Sequence, residues 1–257
     1  MNIDHHLQDK LRTLRLSGIL ETLEARLTQA QAGELGFVEF LQLIFQDEIE
    51  RRAASALARR IQKAGFDDNH TIEGFNFNAV PKLKSSLIRD LATCSFVGHK
   101  ESIILCGPTG VGKTHLAESL GHLACRQGYS VLFVKPGKMF RKLYAARADQ
   151  SWEKVIRKYL SPDLLIWDDF GLQPFNQHQA EDLYEIISER TSKGSNIITS
   201  NRPIQDWLGL FPDPVMAQAA VDRLRQNAHL IVIEGDSYRG RLTPGQSNRD
   251  KLNTGKE

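Results

Sequence analysis

Five short apolar runs constrain this chain more than any other feature. They are Ile103-Ile104-Leu105, Val131 to Val134, Leu164 to Trp167, Ile197-Ile198-Thr199 and Leu230 to Ile233. None alternates with polar residues, so each reads as a strand buried on both faces, the condition of a parallel sheet covered by helices. Helix-like stretches lie between them: His115 to Arg126, stopped by Gly128, Lys138 to Arg147, and Gln179 to Lys193, stopped by Gly194. This order predicts a doubly wound α/β domain over 81–242 with five parallel strands. No apolar run approaches the ~20 residues of a membrane span, so no membrane partner is expected.

The first quarter of the chain has a different period. Leu7, Leu11, Leu14, Leu16, Leu20, Leu23 and Leu27 recur at helical steps, and Gly33 and Gly36 break the pattern. A second run puts Phe37, Phe40, Leu41, Ile44, Phe45 and Ile49 on one face, continues through Ala53, Leu57 and Ile61, and ends at Lys63-Ala64-Gly65. The expected organisation is a small all-helical domain at 1–65, an extended linker at 66–80, the α/β domain, and a disordered tail at 243–257. Three scattered cysteines among 257 residues, with no CxxC pair and no secretory signal, fit a reducing cytoplasm. The net charge of +2 implies nothing by itself.

The chemistry begins at the end of the first apolar run. Gly107, Pro108, Thr109, Gly110, Val111, Gly112, Lys113 and Thr114 fit G-x-x-x-x-G-K-[ST], with a buried strand before and an amphipathic helix after. The glycines let successive amides turn toward phosphate oxygens, and the helix N-terminus adds partial positive charge. Lys113 is expected to reach the β- and γ-phosphates of ATP and Thr114 to place its hydroxyl on Mg²⁺. Asp163-Leu-Leu-Ile-Trp-Asp-Asp169 reads as a buried strand delivering two acids beside that loop. Asp168 would hold the magnesium through water and Asp169 would polarise the attacking water. Asn201, after the fourth run, could hydrogen-bond the γ-phosphate or that water. Alone, Asn201-Arg202-Pro203 is an ordinary turn.

These three segments together resemble the AAA+ ATPases, in the initiator and helicase-loader branch. A larger set resembles the IstB family: Leu14 to Leu20, Phe96, Gly107 to Ala117 (His115 included), Asp168 to Leu172, Thr199 to Asn201, Val221 to Leu224 and Gly235 to Arg239. Members are ATP-dependent helpers of insertion-sequence transposases, similar to the DnaC helicase loaders. The resemblance implies a P-loop AAA+ core, a homo-oligomer with shared active sites, and Arg223 as an arginine finger reaching a neighbour's γ-phosphate. The fork and permanent charge of a guanidinium suit that role, and Arg225 is a nearby competitor. Arg239 matches an arginine contacting nucleotide in its own subunit. Asp169 departs from the glutamate common in AAA+ proteins and is one methylene shorter, which fits a slow ATPase.

Charge suggests where duplex DNA would lie. Lys135, Lys138, Arg141, Lys142, Arg147, Lys154, Arg157 and Lys158 face only Asp149 and Glu153 in that stretch, a strip suited to phosphates. Arg51, Arg52, Arg59, Arg60 and Lys63 form a second, acid-free run. A solvated helix face is the plain alternative for each. No base-reading motif appears, so binding would be indifferent to sequence. The leading expectation is an ATP-driven transposition helper that assembles on duplex DNA and recruits a transposase. A loader of a replicative helicase would use the same ATPase, a small-molecule kinase would leave the Thr-Ser-Asn strand without a role, and a scaffold without turnover would need none of Asp168, Asp169 and Arg223.

Overall fold

The computed structural model describes residues 4–235 and 237; Arg239 and the 243–257 tail lie outside them. The chain divides into two compact units between Arg59 and Arg60. In the first, α1 (His5–Thr13) and α2 (Ser17–Gln31) precede the long α3 (Phe37–Ala64). Arg15, at φ 56°, makes the turn between α1 and α2. The core is Leu11, Ile19, Leu23 and Ile44, with Leu16, Leu20, Leu27 and Phe40 packed on it. The apolar run of α3 therefore splits. Phe40 and Ile44 face the core, while Phe37, Leu41, Phe45 and Ile49 are exposed, because residues one apart on a helix sit about 100° from each other.

The division falls inside α3 rather than at its end. Arg60 Nε donates to the Cys125 carbonyl at 2.9 Å, tying the last turns to the second unit. Residues 66–80, read from the sequence as a linker, are folded onto that unit as a strap. Phe66 stacks with His122 at 4.1 Å between ring centres, Phe75 is buried, and a 3₁₀ turn covers Phe77–Ala79.

The rest of the second unit runs α4 (Ser85–Ala92), α5 (Ser95–Gly98), β1 (Ser102–Cys106), α6 (Lys113–Arg126), β2 (Val131–Val134), α7 (Pro136–Ala148), α8 (Trp152–Leu160), β3 (Leu164–Trp167), α9 (Gln177–Arg190), β4 (Ser195–Ser200), α10 (Pro214–Arg225) and β5 (Ala228–Val232). All five strands are parallel, in the order β2-β3-β4-β1-β5. β1, β3 and β4 are wholly buried, as continuous apolar runs require. β5 departs from the reading. It is an edge strand, so Leu230 and Val232 are exposed. Buried Arg190 closes the base of the sheet by donating to the Leu160, Pro162 and Ser195 carbonyls and to Asn196, and burial pushes its pKa down to about 10. Among the described residues, no helix is long and apolar enough to cross a membrane.

Candidate active site

Strand order assembles the site. β1 lies beside β4 and β4 beside β3, so the segments leaving these three strands emerge side by side at one sheet edge. The phosphate loop follows β1, the acids follow β3, and Asn201, following β4, stands between them. Residues 109–115, Asp168, Asp169 and Asn201 line one cleft of about 420 Å³, inside the roughly 300–1,000 Å³ range of small-molecule sites.

The loop's backbone favours glycine at three places, Gly107, Gly110 (φ 88°) and Gly112. A Cβ on Gly107, at φ 154°, would stand 2.1 Å from the Ile233 carbonyl oxygen, and one on Gly112, at φ 93°, would stand 2.8 Å from the Phe75 ring. Lys113 opens α6 and its Nζ donates to the Gly107 and Pro108 carbonyls at 2.8 and 2.7 Å. The ammonium is thereby held within the loop's curl.

Asp168 is 1% exposed, and its Oδ1 accepts from Thr114 Oγ1 at 2.8 Å and Thr199 Oγ1 at 2.7 Å. Burial pushes its carboxyl above the ordinary range, against these two hydroxyls, with Asp169 adding to the rise. A buried carboxylate beside a threonine hydroxyl suits a hard cation that completes its shell with phosphate oxygens and water. Among the described residues no cluster of three or more His, Cys, Asp or Glu could hold a metal ion. Asp169 takes a left-handed backbone, φ 59°, and its amide donates to Thr199 Oγ1 at 2.9 Å. Thr199 thus sets the turn that aims both acids. The sequence shows it only as part of a motif, since its partners are about 30 residues away.

The strap supplies a wall the sequence reading missed. Buried Glu118, one turn into α6, accepts from the Asp67 amide at 2.9 Å and pairs with His70 Nδ1 at 2.5 Å. His115 Nε2 meets the Thr71 carbonyl at 2.8 Å, and burial lowers its pKa. Lys135, counted from sequence in the basic strip, lies in this cleft and pairs with Asp67 at 2.5 Å. The available signal was three phenylalanines at 66, 75 and 77, unusual in a solvated linker.

Arg223 is elsewhere. α10 ends beside the start of β5, which pairs with the start of β1, whereas the phosphate loop leaves β1 at its other end. Five residues of strand, about 16 Å, separate the two levels, so Arg223 cannot serve its own loop. Its Nη1 donates to Tyr184 Oη at 2.7 Å.

The proposed DNA residues divide. Lys138, Arg141 and Lys142 are exposed on α7. Arg147 is engaged internally, pairing with Asp182 at 2.5 Å and lying over the Trp152 ring at 5.1 Å. The second run is acid-free in sequence but not in space: Arg51 pairs with Glu21 and Arg52 with Glu48, besides the Arg60 bond already noted. Arg59 is exposed.

A family model described as IstB-like ATP-binding protein matches residues 9–244. The chain belongs to that family. An insertion-sequence ATP-binding protein of Mycobacterium tuberculosis is 47% identical to this IstB-like chain over 245 residues, covering 95% of it and 98% of the relative. The AMPPCP-bound DnaA of Aquifex aeolicus matches with TM-score 0.56 at 20% identity, over 67% of this chain and 52% of that one. The DnaC helicase loader matches with TM-score 0.53 at 22% identity, over 66% and 97%. At such identities the two structures show the AAA+ fold alone.

Proposed function

We propose that this IstB-like protein is a magnesium-dependent ATPase that oligomerises on duplex DNA and hands that DNA to the transposase of its insertion element. The observation that carries the reading is the split of the catalytic set. Loop, acids and Asn201 share one sheet edge, while Arg223 sits at the opposite edge of the same subunit. A second copy completes the site.

In that scheme the loop amides and Lys113 bind the β- and γ-phosphates; Thr114 and Asp168 would hold Mg²⁺, which would supply positive charge against the phosphates. Asp169 takes the proton of a water that attacks the γ-phosphorus. The bond from that phosphorus to the bridging oxygen breaks, and ADP and phosphate leave. Asn201 orients the water, and Arg223 of the neighbour offsets charge on the transferred group. Arg239, if it contacts nucleotide, does so from its own subunit. Lys138, Arg141 and Lys142 supply a sequence-indifferent phosphate contact. A replicative-helicase loader would use the same ATPase; the M. tuberculosis relative's name favours the transposition reading.

ATP turnover with and without duplex DNA, across protein and salt concentrations, tests this. Turnover that rises with protein concentration, increases on duplex and fades with salt is expected, as is loss of turnover with retained ATP binding in Asp169→Asn. Turnover indifferent to DNA and concentration would make each subunit self-contained and the scheme wrong.

A further inference from the structure

An arginine that must act across a subunit boundary has to be held in position before the boundary forms, because its long side chain otherwise samples many rotamers. The surroundings of Arg223 meet that need in a particular way. Tyr184, on α9, lies beneath it, with the guanidinium carbon 5.1 Å from the ring centre. The phenol oxygen accepts from Nη1 at 2.7 Å, and the Ala219 carbonyl stands 3.5 Å from the same nitrogen. Ring and hydroxyl act on the same group: the ring offers its face to the cation, and the hydroxyl anchors one of its nitrogens.

All of these partners are neutral. Asp222, the adjacent acid, is engaged by Gln218 Nε2 at 3.0 Å on both carboxylate oxygens. Among the described residues no carboxylate pairs with Arg223. Arg147, by contrast, has its charge met by Asp182. Arg223 is instead held in place with its full charge unspent, and it is only partly buried. Arg225, two residues on, is exposed.

We propose that Tyr184 is the positioning residue of Arg223: its ring and hydroxyl preset the guanidinium so that a neighbouring subunit's nucleotide meets an oriented, uncompensated positive charge. The proposal rests on the reading of Arg223 as a residue acting in trans. Tyr184 acts through Arg223, its partner in the structure.

The test measures DNA-stimulated ATP turnover of the full chain, with KM and kcat resolved, for Tyr184→Phe, Tyr184→Ala and Arg223→Ala. Tyr184→Phe keeps the ring and loses one hydrogen bond from the charged guanidinium to a neutral oxygen, so kcat is expected to fall about 3- to 10-fold or more with KM for ATP unchanged. Tyr184→Ala loses ring and bond, and kcat is expected to fall tens of fold. Each variant is then mixed in equal amounts with Lys113→Ala, whose own nucleotide site is disabled but whose Arg223 is intact. Turnover is expected to recover in the Tyr184→Ala mixture, as in an Arg223→Ala mixture run beside it, since an intact site and an intact finger then meet across a boundary. Recovery with Arg223→Ala but not with Tyr184→Ala would put the tyrosine's effect inside its own subunit and overturn the proposal. Wild-type turnover in both Tyr184 variants, with turnover lost in Arg223→Ala, would overturn it while sparing the finger. Wild-type turnover in Arg223→Ala would remove the finger and the proposal together. If Tyr184→Ala fails to fold, Tyr184→Phe decides by its kcat and by the same mixture.

Discussion

Two stretches of positive charge, Arg51-Arg52 on α3 and Lys138 to Lys142 on α7, look alike in the sequence and differ in what the fold brings to them. Along α3, Arg51 and Arg52 lie against Glu21 and Glu48, carboxylates contributed by α2 and by an earlier turn of α3 itself. Along α7, Lys138, Arg141, Lys142 and Arg147 are all exposed, and Arg147, at the helix end, pairs with the buried Asp182. Positive charge along a chain becomes a surface for phosphates only where the fold brings no acid to meet it. Counting charges in one stretch cannot detect an acid arriving from elsewhere.

The largest effect expected from breaking this contrast lies in the first unit. Glu48 is 5% exposed and accepts from the Gly18 amide at 2.7 Å, the Ile19 amide at 3.3 Å and Arg52 Nε at 2.6 Å. Burial opposes its ionisation, but Arg52 and the two amides together hold its pKa below the ordinary 4.5. Glu48→Ala orphans the two amides at the start of α2 and is expected to cost about 2–3 kcal/mol, read as lost hydrogen-exchange protection at Gly18 and Ile19. Because the folded pKa is the lower one, this stabilisation is full above about pH 4.5 and is lost as pH falls through the folded value. Unchanged protection in acid would show that the carboxylate is not what holds the run together.

Next is the exposed strip. Replacing Lys138, Arg141 and Lys142 together by alanine is expected to weaken duplex binding about 10- to 100-fold and to flatten its salt dependence by up to about three phosphate contacts. The Arg51→Ala, Arg52→Ala pair is expected to leave duplex affinity within about twofold. A fluorescence anisotropy titration at several salt concentrations would expose the reverse ranking, which would exchange the roles of the two runs.

Arg147→Lys sharpens the contrast at a single residue. It keeps the charge and loses both the guanidinium's place over Trp152 and its hydrogen bond to Asp182, which also accepts from Trp152 Nε1 at 2.9 Å. A thermal-stability loss of about 1 kcal/mol or less, with duplex affinity retained, is expected. Lost affinity at full stability would instead make Arg147 a phosphate contact. The smallest effect concerns Cys94, Cys106 and Cys125, all free and buried, with thiols pushed up to about 11 by burial. Native protein is expected to react with a thiol reagent far more slowly than denatured protein at neutral pH, measured by release of the coloured thiolate.

Much of the site was legible because its parts are local. A glycine loop, two acids at a strand end and a polar residue after the next strand each occupy a few consecutive residues, and parallel strand order brings them together. What escaped was the non-local part. The strap at 66–80 reads as an extended linker until Glu118 meets it, Thr199 gains its contacts only across the sheet, and Tyr184 gains significance only beside Arg223. Helices α4, α8 and the start of α10 were unread because each is short and packs one narrow face.

The sequence by itself determined the parallel sheet, the helical first unit and the phosphate loop, since buried strands need continuous apolar runs and a tight loop before a helix needs glycines. Only the tertiary structure decided which charges stay uncompensated, which stretch walls the cleft, and that Arg223 stands a strand's length from its own loop. Those outcomes depend on distances between residues far apart in the chain, and packing alone sets such distances.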